Sequence, residues 1–183
     1  MAFTLSPLPA KTGYRYFELT SSYDTLYKWF DYPKANGQSI TGYVLLPHHL
    51  HLLIGFTSLP QSIHTVVSNA KRLIAYAIVK RLEAQKQTDT WIKLSNAVSN
   101  SDRQRGKLHQ EFEPSFDAKE CRSRIFIEQQ LTYIHNNPCR GVWHLSTGPV
   151  DYLHSPACFY YTGKQGIDEV TNYMELEERN SNR

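Results

Sequence analysis

Apolar and polar positions along this chain follow two clear rhythms, one of strand type and one of helix type. Ile40 to Leu46 and His49 to Phe56 are nearly unbroken apolar runs of strand length, separated by Pro47-His48. Two such runs joined by a tight turn predict a β-hairpin. Apolar content on both faces predicts a central, buried place in a sheet. Ile63, Val66, Val67, Ala70, Leu73, Ile74, Ala77, Ile78 and Leu82 then recur at helical spacing, which predicts a long helix opened by Ser62. Ile127, Leu131 and Ile134, with Phe126 alongside, mark a second strong helix from about Ala118 to Asn136. Pro138 stops it, because proline cannot continue the backbone hydrogen bonding. A shorter helix from Ser22 or Asp24 to about Lys34 precedes the hairpin, and another is expected near Ser155 to Tyr161.

The aromatic-rich segment Tyr14 to Thr20 reads as the first strand, and Leu108 to Phe112 as the fourth. Ser95 to Gly106 reads as an exposed loop, with one helical turn at Trp91-Ile92-Lys93-Leu94 before it. The resulting order is strand, helix, strand, strand, helix, strand, helix. Its first six elements match a split β-α-β plan. The expected class is therefore α+β, a ferredoxin-like antiparallel sheet with helices on one face plus a late helix. Residues 1–13 read as a leader, 14–165 as one domain and 166–183 as an acidic tail.

Length and composition agree with one globular domain: 183 residues, 40% hydrophobic and 20% charged. The three cysteines are odd in number and hold no C-x-x-C pair, so a disulfide framework or a cysteine-built zinc site is not expected. Neither a signal peptide nor an apolar stretch long enough to span a membrane is visible, and the expected location is cytoplasmic. The net charge of +3 is modest, but its distribution is not even. Lys71 to Lys107 holds nine Lys or Arg against three acids, whereas Asp168 to Arg183 holds five acids against two bases. A basic middle favours a polyanionic partner.

Two short constellations carry chemistry. The first is His49-Leu50-His51. In a strand, residues two apart share a face, about 6.6 Å apart along the chain. Two neutral imidazoles there can bind one ion. His48 faces the other way in that alternation. The plainer reading is two histidines satisfied by ordinary hydrogen bonds. The second constellation is Gln129, Tyr133 and Asn137, which form a polar row at i, i+4 and i+8 beside the apolar stripe. Here the plainer reading is a surface tyrosine ahead of an Asn-Asn-Pro stop.

In combination the segments Tyr43-Val44-Leu45-Leu46-Pro47-His48-His49-Leu50-His51 and Tyr133-Ile134-His135-Asn136-Asn137-Pro138 resemble the REP-associated tyrosine transposases, a family of HUH single-tyrosine transposases. The basic helix around Lys71-Arg72 and the segment Asp151-Tyr152-Leu153-His154-Ser155-Pro156-Ala157 are further echoes. The resemblance implies metal-dependent endonuclease and strand-transferase activity on single-stranded, hairpin-bearing DNA, as in DNA transposition and recombination. It implies Tyr133 as the nucleophile on the late helix, His49 and His51 as ligands of a Mg²⁺ or Mn²⁺ ion, and Asn137 as a third ligand. A single-stranded DNA partner is implied, no membrane partner, and a homodimer is one assembly open to it. Lys71, Arg72, Lys80, Arg81, Arg103, Arg105, Lys107, Arg122, Arg124 and Arg140 are the candidate DNA contacts. Two other readings stand beside this one. One is a non-catalytic nucleic-acid-binding module of the same fold. The other is an unrelated metal-dependent hydrolase using His49, His51 and a carboxylate such as Glu18.

Overall fold

A computed structural model of the chain describes residues 2–5, 15–56, 62–112, 116–141 and 144–176. Four strands form one antiparallel sheet: β1 (Ala2–Leu5), β2 (Gln38–Leu46), β3 (His49–Phe56) and β4 (Asp117–Lys119). Their order across the sheet is β2-β3-β1-β4. Between β1 and β2 lie α1 (Tyr16–Leu19) and α2 (Tyr23–Ala35). Between β3 and β4 lie α3 (Ile63–Ala84), α4 (Thr88–Asn96) and α5 (Asn100–Gln104). After β4 come α6 (Arg124–Asn136), a 3₁₀ turn at Asn137–Cys139, another at Pro149–Asp151, and α7 (Ala157–Thr162). This is the expected α+β, ferredoxin-like plan, with the late helix added.

The plan holds, but two strands come from other residues than expected. Part of the expected leader, Ala2–Leu5, is a central strand, paired with β3 on one side and β4 on the other. Tyr14 to Thr20 is not a strand: α1 occupies Tyr16–Leu19, and its aromatics Tyr16 and Phe17 are buried. Leu108 to Phe112 is not the fourth strand. That place belongs to Asp117–Lys119, three exposed residues whose lack of pattern suits a short edge strand. The late helix consequently starts at Arg124 rather than Ala118, and Ser123 caps it by accepting a hydrogen bond from the Phe126 backbone. The expected loop over Ser95–Gly106 instead includes α5, capped by Ser99.

Strand alternation sends β2 and β3 into two cores. Tyr43, Leu45, Leu50, Leu52 and Ile54 pack with Leu26, Trp29 and Phe30 of α2 and with Val66, Ala70, Ile74, Ile78 and Leu82 of α3. Val44, Leu46 and Leu53 pack on the opposite face with Leu131 and Ile134 of α6 and with Tyr173. The helices expected on one face are α2 and α3, and α6 covers the other. A bulge between Ile40 and Gly42 resets the alternation, so that Ile40 and Tyr43, three residues apart, both join the α2–α3 core.

The start of the expected acidic tail packs against the body. Thr171 donates its backbone N–H to Ile40 and Leu45 donates to His154, so these segments occupy the outer edge of β2. Lys34 pairs with Asp168 at 2.8 Å. β2 is an edge strand whose free edge is thereby taken up, which explains its strand-core composition.

Gly42 sets how closely α6 approaches the sheet. A Cβ there would lie 2.5 Å from Leu131 Cδ2, well inside contact distance. Gly42→Ala is expected to cost roughly 1–3 kcal/mol through this overlap. Leu131→Val should recover part of that loss, so that the double variant is more stable than the two single costs predict. Denaturant unfolding of the four proteins measures it; strict additivity would refute the contact as the cause.

Candidate active site

β3 puts His49 and His51 on the face covered by α6, opposite Leu46 and Val44 of β2. Their Nε2 atoms are 2.9 Å apart and the rings stand nearly perpendicular. The strand-based expectation that they sit side by side is met in geometry. His48 differs from expectation. It lies in the turn, where strand alternation does not apply, and its ring packs edge-on to His49 with 4.3 Å between centroids.

α6 brings the second constellation onto the first. Ser123 fixes its start, and the Leu131–Ile134 stripe fixes its rotation about its axis. With that face down, the polar row turns toward β3. Asn137 Nδ2 lies 3.1 Å from His51 Nε2. The Tyr133 ring meets the His51 ring edge-to-face at 5.2 Å. Tyr133 is 48% exposed, and its hydroxyl makes no hydrogen bond among the described residues. Gln129 is exposed.

Electrostatics keep both imidazoles neutral. Burial, with help from the neighbouring histidines, pushes His49 down to about 2. Burial and His48 push His51 down to about 4. Neutral imidazoles are the form that binds metal. Their 2.9 Å separation would let both nitrogens face one ion. The Asn137 carboxamide reaches the same point, and a half-turn exchanges its oxygen for its nitrogen. The amide oxygen and water would suit Mg²⁺ or Mn²⁺, whereas imidazole nitrogens would equally suit softer divalent ions. Among the described residues no group of three or more His, Cys, Asp or Glu side chains gathers around an ion site. Glu18 is paired with Arg15. The groups that meet here are two imidazoles and an amide, and the Asp117 carboxylate lies near enough to act on the His51 charge.

Sequence reasoning passed over His135. It is 4% exposed, its Nε2 has no hydrogen-bond partner among the described residues, and its ring packs on Tyr160 at 5.2 Å. Burial pushes it down to about 4. The unfolded chain takes up this proton from about pH 6.5 downward. The folded chain resists it to about 4, so stability present above 6.5 is lost as the pH falls through that window. His49 and His51 act in the same direction. The melting temperature should therefore fall from pH 6.5 to 4.5, and less steeply in His135→Leu; parallel slopes would exclude His135 as a contributor.

The candidate DNA contacts are scattered. Lys71, Arg72, Lys80 and Arg81 ride on α3, across the sheet from the histidines. Arg81 is engaged with Asp24 at 2.8 Å and with backbone carbonyls of Thr20 and Ser21. Lys71 lies over the Phe116 ring. Arg103 bonds the Ser95 carbonyl, Arg105 lies 3.9 Å from Asp102, and Lys107 bonds Gln110. Arg122 pairs with Glu120 and Arg124 with Glu128. Arg72, Lys80 and Arg140 have no such partner among the described residues. No described helix is long and apolar enough to cross a membrane.

No protein-family model matches the chain, and no curated protein matches it in sequence. Among solved structures, the fold is similar to that of a REP-associated tyrosine transposase bound to a REP hairpin, with a TM-score of 0.60 and 14% identity. The likeness covers 93% of this chain and 84% of that one. The chain thus shares the fold of a tyrosine transposase over nearly its whole length.

Proposed function

We propose that the protein is a transposase-like DNA strand transferase that cuts and rejoins single-stranded DNA through a 5′-phosphotyrosine. One observation carries this reading. Tyr133 and Asn137 converge on His51, although the two groups lie more than eighty positions apart in the chain. A neutral histidine pair able to hold an ion, with a half-exposed phenol beside it, supplies groups that a phosphoryl transfer to tyrosine would use. The fold likeness to a transposase held on a REP hairpin supports DNA with hairpins as the partner.

In this reading His49, His51 and Asn137 hold a divalent ion, Mg²⁺ or Mn²⁺. When bound, the ion polarises the scissile phosphate and neutralises developing charge. The Tyr133 oxygen bonds to phosphorus as its proton leaves to solvent. The bond from phosphorus to the 3′-oxygen breaks, and that oxygen takes up a proton to leave a free 3′-hydroxyl. The downstream strand remains on Tyr133 by its 5′-phosphate. Attack by another 3′-hydroxyl reverses the step, so rejoining needs no ATP.

The test is incubation of the full chain with hairpin-flanked single strands and Mn²⁺, the label placed 3′ of the cut. A labelled protein band on a denaturing gel is the expected result, together with binding that weakens steeply with salt. Salt-sensitive binding without any covalent band would leave a non-catalytic DNA-binding module. Efficient cutting of perfect duplex with none of single strands would also overturn the proposal.

A further inference from the structure

α3 stops against α4 with a lysine where the backbone favours glycine. The stop is a complete Schellman turn: the Gln87 N–H donates to the Leu82 carbonyl and the Lys86 N–H to the Glu83 carbonyl. Such a turn puts the residue after the helix cap in the left-handed region, and Lys86 sits there with φ +55°. Glycine takes this conformation without strain, and lysine does not. A side chain kept at a strained position is a reason to look for its use.

That side chain borders a cavity of about 450 Å³ between the end of α3 and the start of α4, lined by Leu82, Glu83, Lys86, Gln87, Thr88 and Trp91. The volume suits a small molecule. Leu82 is fully buried and gives the cavity an apolar base. Trp91 is half-buried and gives it a flat aromatic wall. Two contacts brace that wall. The indole N–H donates to Glu83 Oε1 at 3.2 Å, and the ring meets the His109 ring at 4.6 Å. A braced ring loses little freedom when a ligand stacks on it. Glu83 Oε2 and the Lys86 ammonium make no hydrogen bond or ion pair among the described residues. α3 packs on the sheet face away from α6, so the cavity is separate from the histidine pair.

Each part of the lining selects a feature of the ligand. The indole selects a flat ring. The open carboxylate oxygen accepts a hydrogen bond from an amino group, and the ammonium pairs with an anion. A flat ring that carries both an amino group and an anion is the chemistry of a nucleotide. We propose that this cavity binds one nucleotide, its amino-bearing base stacked on Trp91 and hydrogen-bonded to Glu83, and its phosphate held by Lys86. A free mononucleotide and an unpaired base of a DNA strand present the same groups. The site does not depend on the reading of Tyr133 as the attacking group.

The test is titration of the full chain with dAMP, without metal, followed by saturation-transfer NMR. Saturable binding is expected. Deoxyribose 5-phosphate, which has no base, and purine deoxyriboside 5′-phosphate, which has no amino group, should both bind more weakly. Trp91→Leu should weaken dAMP binding by at least about fivefold, and Glu83→Ala should remove the preference for the amino group. Lys86→Gly separates a ligand contact from a structural one. It should raise the melting temperature, because glycine fits φ +55°, and yet bind dAMP no better than deoxyadenosine. No saturable binding to wild type, unchanged binding in Trp91→Leu, or wild-type binding in Lys86→Gly would each overturn the site. A single strand that displaces dAMP, and that itself binds Trp91→Leu less tightly, marks the ligand as an unpaired base of DNA. A strand that fails to displace dAMP marks it as a free nucleotide.

Discussion

Tyr133→Phe is expected to abolish strand cleavage and the covalent adduct, lowering the rate by more than about 10³-fold, while leaving DNA binding and stability near wild type. The substitution removes one oxygen. The ring keeps its edge-to-face contact with His51, and the hydroxyl is given no hydrogen-bond partner among the described residues. A half-exposed group with no partner to lose should change stability by less than about 0.5 kcal/mol. Without that oxygen no bond to phosphorus can form, so the reaction has no covalent route. Peptide mapping of the wild-type adduct completes the measurement. An adduct on another tyrosine, or undiminished cutting by the Phe variant, would remove Tyr133 from the mechanism.

His51→Ala should have the second largest effect, because His51 stands at the centre of the site. Its Nε2 is the atom that both His49 and Asn137 approach. Removing it leaves one imidazole and one amide, which no longer form a compact donor set. Divalent-ion affinity should fall by more than about 100-fold, and cleavage with it. DNA affinity at low salt should fall much less, since Lys and Arg contacts to phosphates dominate it. A readout without DNA is also open. An ion at 100 times its dissociation constant stabilises the folded chain by about 2.7 kcal/mol. Mn²⁺ should therefore raise the melting temperature of wild type and not of His51→Ala. Equal shifts in both proteins would mean that the ion binds elsewhere.

Much of the site was legible in the sequence because both halves obey local rules. The period of two along β3 puts His49 and His51 on one face whatever the surroundings. The i, i+4 rule puts Tyr133 and Asn137 on one flank of α6 whatever it packs against. The apolar stripes of α3 and α6 likewise predicted those helices, because burial repeats with the turn of the helix. The misplaced strands failed for the converse reason. Asp117-Ala118-Lys119 has no apolar pattern, since an exposed edge strand has no buried face to impose one. Tyr16 and Phe17 look like strand residues, but they are buried in a short helix beside the β2–β3 turn, with Phe17 donating to the Pro47 carbonyl.

Local pattern was enough for the hairpin, the long helices and the faces on which the histidines and the tyrosine sit; the split β-α-β plan was right in kind, although Tyr14–Thr20 and Leu108–Phe112 are not among its strands. Long-range packing decided that α6 lies across the sheet from α3, with the basic residues of α3 on the far side from His51. It also decided that Ala2–Leu5 separates β3 from β4, and that Gly42 lets Leu131 close onto the sheet. Each of these depends on contacts between residues far apart in the chain. Local periodicity states which face of an element is apolar, but it carries no information about which other element will cover that face.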